Sequence, residues 1–219
     1  KTMAIKAYED ILAKFPQAEG APAILLQIGT LWSTIKADDA AQRDENVKKA
    51  DAAFTQLSEK YPDSEQAKNA YFLRGRALIE LGYRAEGVEV LKKMFADAGK
   101  YTAAQLMLAA QELLKSQETA LARQGFELAL GMAKDDPAIA IPSRMGLAEV
   151  LVLEKQYPAA VDALEKFIVE NPTSYKVLEA NALLARAAAL ATAEEPDGSK
   201  RSKRLARALD SIRKPALYQ

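Results

Sequence analysis

Tyr71-Phe72-Leu73-Arg74-Gly75-Arg76-Ala77-Leu78 is the stretch on which the reading of this 219-residue chain turns. A glycine stands among large apolar residues at helical spacing, and twelve residues later a second small residue, Gly87, is followed by Leu91 and Met94. Apolar residues three and four apart share one helix face, so the segment predicts two amphipathic helices joined by a turn near Gly82. The offsets 12, 4 and 3 recur from Ala110, leading to Ala122, Phe126 and Ala129. They recur again from Ala148, leading to Ala160, Leu164 and Phe167.

The second-helix half of the pattern also occurs at Ala4, Tyr8 and Ile11 before Pro16, and at Ala50, Phe54 and Leu57 before Pro62. Proline lacks an N–H and restricts the residue before it, which closes each helix. Thirteen residues separate Pro16 from Gly29, Pro62 from Gly75 and Pro172 from Ala185. The small-residue marks at 29, 75, 110, 148 and 185 are spaced by 46, 35, 38 and 37 residues, near the period of about 34 expected of helix-turn-helix repeats. The long interval reflects extra residues around Ile35 to Asn46, rich in Ala and Asp. Small residues at the marks let two helices approach, and the large residues that follow fill the gap to the next hairpin. The shared register favours a stacked array over an ordinary helical bundle.

Composition removes much chemistry. Cys and His are both absent, which excludes disulfides, thiolate nucleophiles, Cys/His zinc sites and imidazole bases. Thirty basic residues balance thirty acidic ones, so no net field draws the chain to nucleic acid or an anionic membrane. No apolar run approaches the roughly 18 residues of a membrane span. The start, Lys1-Thr2-Met3-Ala4-Ile5, enters a helical pattern without initiator Met, signal segment or helix-start residue. It reads as part of a longer precursor, from which either a signal peptide or an upstream domain is missing. Ile5, Tyr8, Ile11 and Leu12 then lack a first helix of their own, and a partner, a second copy or upstream sequence is expected to cover them.

The pattern resembles the tetratricopeptide repeat family. Leu147-Ala148, Leu151, Tyr157, Ala160, Leu164 and Pro172 follow the family pattern well, and Gly75, Gly87 and Leu91 follow it more loosely. The resemblance covers nearly the whole chain and implies an all-α fold, a right-handed superhelical array of antiparallel hairpins with about eleven helices. The array is expected as a single domain over 1–219, with hairpin ends near 16, 62, 99, 136 and 172 and a basic capping helix over 199–214. Tyr61-Pro62-Asp63-Ser64 with Ala67, echoed by Phe15-Pro16-Gln17-Ala18 and Asn171-Pro172-Thr173-Ser174, resembles bacterial envelope members, the outer-membrane assembly lipoproteins and the Tol-Pal coordinator. That likeness implies a periplasmic or cell-envelope location, with the cytoplasm as the alternative.

In this family the first helices line a concave groove. Carried over by position, the groove residues three before each mark are Leu26, Phe72, Met107, Met145 and Ala182, and those one after are Thr30, Arg76, Gln111, Glu149 and Arg186. Phe72, Met107 and Met145 suit apolar side chains of a peptide, and Arg76 and Arg186 suit a carboxylate or carbonyl. The alternative is that the Met and Phe residues are core and that Glu149 pairs with a neighbouring Arg. Asn69 and Arg76 are the only clustered candidates for a carboxylate clamp, which is otherwise missing. From Ser199 onward seven basic residues face one acid, Asp210, and Lys200, Arg201, Lys203, Arg204 and Arg207 form a basic face that suits a helical cap or an anionic surface. No aromatic residue interleaves them, which disfavours nucleic acid.

Catalytic signatures are missing. Asp38-Asp39 and Asp135-Asp136 read as turn and N-cap residues rather than metal ligands, and no phosphate loop or nucleophile elbow is present. The chain is therefore expected to be a non-catalytic scaffold, with no metal, cofactor or small-molecule substrate, binding an extended or helical segment of a protein partner. Self-association through the first helix is a further expectation. The alternatives are a spacer domain of a larger envelope protein and a helical-array enzyme using paired carboxylates.

Overall fold

Hairpin formation starts with caps that the sequence supplies. The computed structural model describes residues 1–194 and 197–213, and among them it is all-helical. The helices are α1 (Thr2–Lys14), α2 (Ala21–Thr34), α3 (Ala40–Lys60), α4 (Glu65–Glu80), α5 (Arg84–Ala96), α6 (Ala103–Lys115), α7 (Thr119–Ala133), α8 (Pro137–Leu153), α9 (Tyr157–Glu170), α10 (Val177–Glu194) and α11 (Gly198–Arg213). A single 3₁₀ turn, Ala98–Lys100, follows α5. Asp39 caps α3 by accepting the Gln42 N–H at 2.7 Å, and Asp136 caps α8 by accepting the Ala138 N–H at 2.9 Å. One acid of each sequence pair is thus an N-cap. Ser64 starts α4 in the same way, accepting from Ala67 N at 3.1 Å. Thr102 and Gln105 start α6 with a reciprocal capping box, each satisfying a backbone N–H of the other.

Three helix ends repeat one backbone device. Among the described residues Gly82, Gln117 and Lys155 have positive φ, at 99°, 61° and 60°, and each lies seven residues after a mark at Gly75, Ala110 or Ala148. Tyr83 N donates to Leu78 O and Gln156 N donates to Leu151 O, both at 2.8 Å, the six-residue closure that ends a helix on a left-handed residue.

The chain forms two compact units, Lys1–Ser116 and Gln117–Gln219, with α6 the last helix of the first and α7 the first helix of the second. In the first unit consecutive helices pack from α1 to α6, and α4 also packs on both α2 and α6. The second unit packs α7 through α11 consecutively, with α8 also on α10.

Close approach is carried by the predicted small residues. A Cβ at Gly75 would come 2.6 Å from Leu91 Cδ2, and one at Gly87 would come 2.6 Å from the Gly75 carbonyl oxygen; α4 and α5 could not pack this closely with side chains there. Phe54 fills the equivalent gap beside Gly29, with Leu25, Ala50, Leu57, Ala67 and Ala70 around it. In the second unit Ala148 is buried with Ala160, Leu164, Phe167 and Leu184, while Gly146, which the pattern did not mark, lies against the Phe126 ring.

Two expectations are corrected. Ala185 is exposed, not buried in a hairpin. The residue twelve on is Asp197, whose carboxylate accepts Ser199 N and Lys200 N to start α11, so the small partner required for close approach is absent. Ile5, expected to be open, is 1% exposed and packs with Ile28 and Ala53. Ile11 of the same set is exposed, as are Met3 of α1 and Phe15 at its C-cap.

Candidate protein-interaction surface

The row of first helices in the first unit, α2, α4 and α6, presents the side chains that the groove register names. On α2, Leu26 is half-buried against the Phe54 cluster, and the half-buried Thr30 returns its hydroxyl to Leu26 O at 2.8 Å. On α4, Asn69 is exposed, Phe72 and Arg76 are half-buried, and Arg76 Nε lies 3.0 Å from Glu80 Oε1. Asn69 Oδ1 accepts from Gln105 Nε2 of α6 at 2.6 Å, a cross-helix bond that fixes the amide and leaves its NH₂ for another acceptor. Gln111 of α6 is half-buried.

Met107 does not belong to this surface. It is 8% exposed and is a core side chain. In the second unit Met145 is likewise core, 5% exposed and packed with Tyr157, Phe167 and Leu184. A first helix inside an array is covered on two sides, so a position three before the mark can face the next helix instead of the groove. Glu149, Ala182 and Arg186 are exposed. The neighbouring arginines pair elsewhere, Arg144 with Glu170 at 3.6 Å and Arg123 with Glu154 at 2.5 Å.

On α11, Lys200 and Lys203 are exposed. The side chains of Arg201, Arg204 and Arg207, and residue 214 at the end of the expected cap, lie outside the described residues.

Reading by register missed Gln105, which is 8% exposed and holds Asn69, and Leu108, 39% exposed on α6. It also missed an apolar corner in the second unit, where Val169, Tyr175 and Leu178 are 80%, 72% and 84% exposed. Aligning the prolines would have revealed it, since Glu59, Glu65 and Lys68 hold the same offsets from Pro62.

The electrostatics are structural. Glu45 is held below the usual carboxylate range by its hydrogen bond and charge contact with Lys49, and Tyr83 is raised by donating to Asp44. Burial pushes the Tyr101 hydroxyl up to about 12. A cavity of about 10 Å³ beside the Arg74–Asp51 ion pair has room for no more than a water. Among the described residues, no group of three or more acids is arranged to hold a metal, and no helix is long and apolar enough to cross a membrane.

Residues 39–64 match the tetratricopeptide repeat family model. No curated protein matches the chain. Among solved structures it is similar to a tetratricopeptide repeat protein from Parabacteroides merdae ATCC 43184, with a TM-score of 0.59 and 15% identity over 96% of this chain and 70% of that one. It is also similar to nearly identical TPR-like repeats from Podosopora anserina, with a TM-score of 0.60 and 14% identity over 91% and 97%. The MamA protein gives a TM-score of 0.56 and 17% identity over 92% and 97%. Proteins of this fold generally mediate protein–protein interaction and are generally not enzymes. The chain thus has the fold of tetratricopeptide-repeat proteins and, across residues 39–64, matches that family's model.

Proposed function

We propose that the chain is a non-catalytic scaffold whose α2, α4 and α6 row holds an extended or helical segment of a partner protein. The observation that carries this is the placement of Leu26, Thr30, Asn69, Phe72, Arg76 and Gln111 on three first helices that pack side by side. Phe72 and Leu26 offer apolar contact, while Asn69 and Arg76 offer donors for backbone carbonyls or a carboxylate. Arg76 would exchange or share its Glu80 contact, an exposed pair of small worth in itself.

The test is a pull-down from cell-envelope extract on the immobilised chain, repeated with Arg76→Glu plus Phe72→Ala and read by mass spectrometry. A protein retained by the parent and lost from the variant supports the row as the binding surface. Equal retention by both contradicts it. The Tyr61-Pro62-Asp63-Ser64 turn supports an envelope location for the same reading, and fractionation of cells that express the protein checks it. Recovery in the cytoplasmic fraction would contradict that location.

A further inference from the structure

The cap that starts α6 reaches across to α4 and sets the polarity of the α2, α4 and α6 row. Thr102 N donates to Gln105 Oε1 at 2.9 Å while Gln105 N donates to Thr102 Oγ1 at 3.3 Å, the two bonds of a capping box. A backbone N–H only donates, so the Gln105 amide turns its oxygen to Thr102 and its NH₂ away. That NH₂ donates to Asn69 Oδ1 at 2.6 Å, which holds Asn69 with its oxygen towards Gln105. The Asn69 NH₂ then lies outward, at an exposed position of α4. Gln105 is 8% exposed, and turning its amide over would set donor against donor at Thr102.

Polarity of this kind decides what the row can hold. Asn69 offers an uncharged donor, while Arg76, seven residues on along α4, is engaged with Glu80 at 3.0 Å. An uncharged donor suits an uncharged acceptor, and every residue of a partner segment carries one in its backbone carbonyl. Within a helix each carbonyl accepts from the N–H four residues on, and only the last four stay open. Along an extended segment they are available throughout. Apolar side chains flank the donor on both helices, Phe72 three residues after Asn69 and Leu108 three residues after Gln105, the latter 39% exposed.

We propose that Gln105 is a positioning residue that holds the Asn69 amide with its donors outward, so that the row takes a backbone carbonyl from an extended segment of a partner protein. This rests on the reading of the row as the binding surface, and it selects the extended segment over the helical one. Asn69 touches the partner, and Gln105 acts through Asn69.

Side-chain amide exchange in the full chain, read by nitrogen-15 NMR, tests the device without a partner. The Gln105 NH₂ is expected to exchange slowly and the Asn69 NH₂ at the rate of an open amide. Gln105→Glu keeps the capping box, because Glu accepts from Thr102 N equally well, yet it can only accept, so the Asn69 amide is expected to reverse and its NH₂ to become protected. An Asn69 NH₂ already protected in the parent, or unmoved by Gln105→Glu, overturns the proposal and leaves the row reading untouched. In the pull-down, Gln105→Glu is expected to lower retention of the captured protein about tenfold, and to lower it no further when added to Asn69→Ala. Retention equal to the parent's, or losses that add, would show that Gln105 does not act through Asn69. The segment of the captured protein that the immobilised chain protects from protease, made as a peptide, is expected to bind without gaining helical circular dichroism; a helical bound peptide overturns the choice of an extended segment. A parent that retains nothing overturns the row reading itself, and this proposal with it.

Discussion

The turn at Pro62 and the turn at Pro172 share one backbone and diverge in what they show to solvent. Tyr61 N donates to Leu57 O and Asn171 N donates to Phe167 O, both at 3.0 Å; Ser64 N donates to Tyr61 O at 3.0 Å and Ser174 N to Asn171 O at 3.1 Å. Proline ends the incoming helix in both, and the serine two residues on accepts a backbone N–H, Ser64 from Ala67 N at 3.1 Å as the N-cap of α4 and Ser174 from Lys176 N at 3.2 Å in the turn before α10. At three before, three after and six after the proline, the first turn has Glu59, Glu65 and Lys68, and the second has Val169, Tyr175 and Leu178. Glu65 and Lys68 pair at 2.8 Å. Val169, Tyr175 and Leu178 stand 80%, 72% and 84% exposed. Their difference has no counterpart in the turns' backbone–backbone hydrogen bonds, so it belongs to the surface rather than to the fold. Exposed apolar patches of this kind mark interaction sites.

Removing the shared element should cost the most. Ser64→Ala, which removes an N-cap, and Ser174→Ala, which removes a hydrogen bond of the turn, are each expected to destabilise by about 1 kcal/mol, measurable by urea unfolding; a cost at only one of the turns would break the equivalence. Next comes a feature that only the first turn has. Tyr61 Oη donates to Pro16 O at 2.7 Å, tying that turn to the preceding one, whereas Asn171 turns its amide back to Phe167 O at 2.9 Å. Tyr61→Phe is expected to cost about 0.5–1 kcal/mol, and an unchanged unfolding curve would show that the tie is dispensable. Smallest is Lys68→Leu, which removes an exposed pair and is expected to change stability by about 0.5 kcal/mol or less in the same assay.

Much of the fold was legible because the chemistry that closes a hairpin is local. Prolines, caps and small marks report it directly, and the marks also locate the left-handed residues at Gly82, Gln117 and Lys155. Only Gly82 announces itself by residue type; Gln117 and Lys155 adopt a conformation for which these side chains have no preference. Less of the candidate surface was legible. Periodicity says that one helix face is apolar, and not which of two neighbours covers it, so Met107 and Met145 were assigned to a groove although both are buried. Gly146 was passed over because it lies two residues before the mark and serves the other neighbour, through the Phe126 ring. Ala185 fits the template by its distance from Pro172, yet no small residue follows it at the twelve-residue offset seen after Gly75, Ala110 and Ala148, and Asp197 is there instead.

The measurement that bears most directly on the division between frame and surface transplants one turn's exterior onto the other. Val169→Glu, Tyr175→Glu and Leu178→Lys together give the second turn the side chains of the first. Thermal unfolding at low protein concentration, where self-association adds nothing to stability, is predicted to give a Tm within about 2 °C of the parent. A fall of more than about 4 °C would show that these side chains hold the second unit together, and would contradict the account.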